Sequence, residues 1–235
     1  MMLPNSHEQS YPTGIDYHPD DNACVSASLA YLMFRIDAPK QFWQPKAIDT
    51  ITGRTPGGLT FNAGAGLLAL MDLGAEITDI VSFDNNRFIK EGLPYLEEYH
   101  SEGWLKDTPQ AFYEYWTDER LSIQQKYTAD FLAGSAVYGK QYEHFQADPT
   151  TALLTDIANA STSILVPTAR MDPNIYHSVV VTDYSQDTGD VNDEGAFTTF
   201  DNQYQPPITN FEGRYFKTRL FLPDRGIVIV RKSAN

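Results

Sequence analysis

The chain has 235 residues, 42% apolar and 13% aromatic, with 31 acidic against 17 basic side chains, a net charge of -14 and one cysteine. That length allows one large domain or two small ones with a core of useful size, and the composition is that of an ordered globular protein. A field of that sign repels a phosphate backbone, one cysteine leaves no internal disulfide, and no apolar run approaches the ~18 residues of a membrane span, so neither nucleic acid nor a spanning segment is expected.

The opening stretch "MMLPNSHEQSYPTG" has neither the basic nor the apolar region of a signal peptide. With a lone thiol, this predicts a cytoplasmic protein. From Cys24 onward, Val25, Leu29, Leu32, Met33 and Ile36 follow the spacing of a helix with one buried face. Asp20, Asp21 and Asn22 stand before it as capping candidates, which puts Cys24 in the first helical turn. "PGGLTFNAGAGLLALMDLGAEI" predicts a second helix, roughly 58 to 73, closed by Gly74. Further helices are expected in "NRFIKEGLPYLEEYH", "TPQAFYEYWTDERLSIQQKYTADFL" and "DPTTALLTDIANA", with Phe112, Tyr115, Trp116, Tyr127 and Phe131 as packing residues. Near residue 161 the pattern changes. "SILVPTAR", "YHSVVVTDY", "GAFTTFDNQ", "TRLFLPD" and "GIVIVRK" are short β-branched and aromatic runs, with "LPDRG" as a tight turn between the last two. The expected fold is α+β in a single domain: a helical lobe of about 15–160 packed on an antiparallel β lobe of about 161–232.

Cysteine catalysis requires a thiolate, a base for its proton, a group that orients the base, and donors for an oxyanion. A helix N-terminus favours the thiolate at Cys24. His177 opens the strand "HSVVV" 153 positions later, close to the roughly 130 to 150 of papain-type enzymes. Asp201 closes the following strand. If the two strands pair as a hairpin, the start of the first meets the end of the second, and the carboxylate can fix the histidine's tautomer and ring plane.

The order of a cysteine heading the first long helix, a helical lobe, an "HSVVV" strand and an Asp after "FTTF" resembles the papain-like cysteine peptidases. It is similar in particular to the bacterial branch of bacteriocin-processing peptidases that cut leaders after a double glycine, in which an "HxVVV" strand and a "GLT...L...A..LG" helix are typical. The likeness spans about residues 15 to 231. It implies a papain-like fold, a Cys24–His177–Asp201 triad, a peptide or protein substrate and no cofactor. It also implies an oxyanion donor six positions before the cysteine; the family has glutamine there and this chain has His18.

The activity to be expected is that of a thiol hydrolase of amide or peptide bonds, with amidase and acyltransferase chemistry open to the same triad. The alternative is a catalytically silent papain-like domain that binds a peptide or protein in its cleft, which His18 and Val25 at family-atypical positions favour. Gly57 and Gly58 read as a loop entering a helix rather than as a cleavage site. His7, His100 and His144 have no metal-site spacing, and no metal is expected.

Overall fold

The computed structural model describes residues 11–20, 22–60, 62–150, 153, 163–169, 176–185, 195–205, 207–212, 216 and 226–233. The expected helix at 148–160, the turn at 222–226 and the strand run 218–224 lie wholly or largely outside these residues, as does Asp21.

Helix α1, Cys24–Arg35, begins at the cysteine as its sequence pattern predicts. It is buried on every side, from Ser26 to Met33, because it is wedged between other helices and the sheet rather than laid on one surface. Its cap position is held by Ala23 with no side-chain cap, so Asp20 and Asn22 do not act as the expected caps. After a 3₁₀ turn at Lys40–Trp43 comes α2, Pro45–Thr52, with proline in the first turn and Gly53 closing it in the left-handed region at φ 70°. α3, Ala63–Asp72, starts five residues later than the spacing suggests. "TPGG" forms a turn instead, with Gly58 N–H on the Thr55 carbonyl at 2.9 Å, and Asn62 caps the helix by accepting from Ala65 N–H. Gly74 ends it at φ 88°.

The two longer predicted helices are each broken. α4, Asn85–Glu91, and α5, Leu93–Tyr99, are parted by Gly92 at φ 62°; Asp84 caps α4 on Arg87 N–H. α6 is the single turn Trp104–Asp107, α7 is Pro109–Tyr115, and α8, Asp118–Ser135, is capped by Thr117 on Arg120 N–H. Around α4 to α7 the buried residues Phe88, Tyr95, Leu96 and Phe112 make a separate aromatic core.

The sheet departs from expectation. It has seven strands among the described residues: β1 Ala75–Ile80, β2 Tyr142–Phe145, β3 Ser163–Ala169, β4 Tyr176–Ser185, β5 Ala196–Phe200, β6 Ile208–Glu212 and β7 Ile227–Lys232, in the order β2-β1-β7-β3-β4-β5-β6. β1 and β2 come from the helical half and pair in parallel, so the sheet is mixed and shared rather than a purely antiparallel C-terminal lobe. β7 lies between β1 and β3, antiparallel to both. One face, with Ile77, Val180, Phe200 and Val230, packs on Leu29, Met33, Leu70 and Met71. The other carries Ile164, Val179, Val181, Phe197 and Ile229. The helices and strands together form a mixed α/β molecule.

Candidate active site

The site is built where the start of α1 meets the start of β4. One turn into α1, Ser28 Oγ donates to the Ser178 carbonyl at 3.0 Å, bridging 150 residues of sequence and fixing the helix on the strand. Val180 is buried beneath the helix while Val179 and Val181 face the opposite core, so β4 is clamped from both sides. His177, second residue of the strand, then stands beside Cys24.

The half-buried Cys24 lies beside His177, whose ring and charge act on the sulfur together with the nearby backbone N–H groups of Ser178 and Val25. His177 Nε2 lies 2.7 Å from Asp201 Oδ1, both side chains being almost wholly removed from water. With Nε2 taken by the carboxylate, Nδ1 is the ring nitrogen left to face the thiol. β4 and β5 pair antiparallel with Val180 opposite Phe200, which places Asp201 just past the end of β5 and within reach of the histidine. The turn that follows holds the carboxylate: Asp201 N–H donates to the Pro207 carbonyl at 2.7 Å, and Gln203 N–H donates to Oδ1 at 3.0 Å. Cys24, His177 and Asp201, chosen from sequence, are thus brought together in one site, with the imidazole bonded to the carboxylate.

Burial pushes the Cys24 thiol up, but the neighbouring His177 ring, its charge and the two backbone N–H groups outweigh it, so the thiol ionises below its ordinary range. For His177, burial works against the charged form; the Asp201 and Cys24 partners more than offset this and raise the imidazole to about 9. Opposite shifts in contacting groups favour a thiolate–imidazolium pair at neutral pH.

The fourth sequence candidate, His18, is exposed, with its backbone N–H on Asp16 Oδ1 at 3.0 Å. It lines a cavity of about 570 Å³ with Tyr17, Asn202, Tyr204 and Pro207. Its neighbour Tyr17 is fixed: the ring packs edge-on against Phe200 at 4.9 Å, and Asn202 Nδ2 donates to the Tyr17 carbonyl at 3.2 Å. The segment carrying His18 is therefore tied to the residue beside Asp201. The chain matches no protein-family model, no curated protein and no solved structure.

Sequence reading did not single out the polar cluster that holds the approach to Cys24. Arg54, its side chain shut off from water, bonds both oxygens of Asp49 and also reaches Asp20, while its Nε donates to the Gly58 carbonyl. Asp20 accepts in addition from the N–H groups of Asn22 and Gly57, and Ser26 Oγ donates to Asp49 at 2.6 Å. Asp20 is thus a partner of a buried arginine, and Gly57–Gly58 is the turn this arginine anchors. The only sequence hint was an Asp-rich run ahead of a helix, which reads equally well as a cap.

A second cavity, of about 510 Å³, opens between the sheet and α3, α4 and α8 and has Ser178 on its wall. Phe112 is core and Trp116 and Phe131 pack against the cores, as expected; these two also line this cavity with Tyr127. Among the described residues no group of three His, Cys, Asp or Glu side chains could hold a metal ion. His100 sits among Tyr99, Trp104 and Phe112, and His144 pairs with Asp79 at 3.1 Å.

Proposed function

We propose that this chain is a cysteine-dependent hydrolase of amide or peptide bonds, with the papain-like arrangement its sequence resembles. The observation that carries the reading is the meeting of Cys24, His177 and Asp201, the imidazole bonded to the carboxylate at 2.7 Å, with the thiol and the imidazole shifted in the directions such chemistry requires.

Each residue has a distinct part. The Cys24 thiolate attacks the carbonyl carbon, and the developing oxyanion is met by the Cys24 backbone N–H; the exposed His18, in the cavity beside Asn202, is not placed to donate there. As the tetrahedral centre collapses, the C–N bond breaks and the His177 imidazolium gives its proton to the departing amine, leaving a thioester on Cys24. His177, now neutral, takes a proton from water, whose oxygen attacks the thioester; the acid departs and the thiolate–imidazolium pair is restored. Asp201 holds the ring orientation throughout and favours the protonated imidazole.

The test is alkylation by iodoacetamide at neutral pH. Cys24 is expected to react much faster than a free thiol in solution, and His177→Ala to slow that reaction toward the free-thiol rate. Equal rates in the two proteins would remove the enzyme reading and leave a domain that binds its partner without chemistry.

A further inference from the structure

We propose that the cavity against α8 is the substrate subsite next to Cys24 and that it takes an aromatic side chain of a peptide. The inference rests on Cys24 being the nucleophile, and it goes further by naming what must lie beside the bond attacked.

Position is the first argument. Ser178 is on the cavity wall, and its backbone N–H acts on the nearby Cys24 Sγ, so the cavity begins within one residue of the reacting atom. Asn62 stands at the same mouth, two positions after Thr60, whose hydroxyl lies 3.5 Å from Ser26 Oγ in the first turn of α1. A group held there is attached close to the sulfur.

Size and chemistry supply the second. About 510 Å³ is within the ~300–1,000 Å³ typical of ligand sites, whereas voids inside packed cores rarely exceed a water molecule. Phe83, Phe88, Tyr99, Trp116, Tyr127 and Phe131 contribute the rings of the wall. Rings so placed offer edges and faces to another ring, the arrangement aromatic pairs prefer. A diglycine would leave this space empty.

One polar feature fits an uncharged aromatic guest. Asp79, the carboxylate on the wall, is engaged by His144 Nδ1 at 3.1 Å and by the Tyr142 hydroxyl at 3.4 Å, so it does not call for a basic ligand.

The experiment compares alkylation of Cys24 in the full chain by iodoacetamide and by its N-benzyl and N-hexyl derivatives, each rate divided by that with glutathione. The benzyl reagent is expected to be at least tenfold faster than iodoacetamide on this scale and faster than the hexyl one. Thr128→Trp, which fills the cavity, and Tyr127→Ala, which removes part of its wall, are expected to bring the benzyl ratio toward one. A wild-type benzyl ratio of one or below, or a hexyl rate above the benzyl rate, overturns the proposal even if either variant fails to fold. Failure of the catalytic reading is seen separately, as slow iodoacetamide labelling that ignores His177→Ala.

Discussion

Asp201 Oδ1 accepts from both His177 and the Gln203 backbone, so the carboxylate cannot swing away without losing two bonds. Its charge sets the pH range of the site. The hydrolysis proposed for this chain needs Cys24 ionised and His177 protonated; on that reading the lowered thiol moves the acid limb below the ordinary cysteine range, and the raised imidazole puts the alkaline limb near pH 9. In Asp201→Asn the imidazole keeps a neighbour and loses the anion, so its protonated form is less favoured. The alkaline limb of kcat/KM against pH is then expected to fall toward the ordinary histidine value of ~6.5, with kcat down by roughly 10²- to 10⁴-fold. An unmoved limb would deny Asp201 its part. The three residues of this series were legible because each stands at the end of an element that its local pattern marks. Asn202, Ser178 and Arg54 were not, since their partners lie 185, 150 and 34 positions away along the chain and nothing local announces them.

At the level of elements, α1 is set in place by polar contacts that a hydrophobic pattern does not reveal. Arg54→Met leaves Asp20 and Asp49 without their buried cation, and a loss of roughly 3 kcal/mol is expected in urea unfolding, the low end for breaking such a pair because both carboxylates retain some water contact. Ser28→Ala removes one hydrogen bond and strands the Ser178 carbonyl, an expected cost of about 1 kcal/mol. Both variants are also expected to slow Cys24 labelling, whereas substitutions on the exposed face of α8 are not. The strongly apolar helices α1 and α3 could be read from periodicity. α2 could not: its eight residues include Lys46, Asp49 and two threonines, too short and too polar a run to stand out. The breaks at Gly92 and between α7 and α8 were hidden for the opposite reason, since apolar spacing continues across them.

Taken as one molecule, the chain does not divide where its sequence changes character. "AEITDI" and "YEHF" are short and carry charges, and set among helices they gave no strand signal. Yet β1 is paired through six positions with β7 from the other half. Loss of β7 pairing therefore releases both halves together. The three tryptophans, Trp43, Trp104 and Trp116, all lie on the helical side, so their fluorescence and the far-ultraviolet strand signal are expected to change at the same urea concentration. Two separated midpoints would mean that the shared sheet does not couple the halves.

The same strand has a consequence for biosynthesis. At ~5–20 residues per second, the ribosome delivers Cys24 on the order of ten seconds before His177, and β7 is made after every strand it must join. A nascent chain thus carries its thiol while the sheet still lacks its connecting strand. Among the described strands residues 227–232 are made last, so in order of synthesis the two halves are joined only after Cys24, His177 and Asp201 are all in the chain.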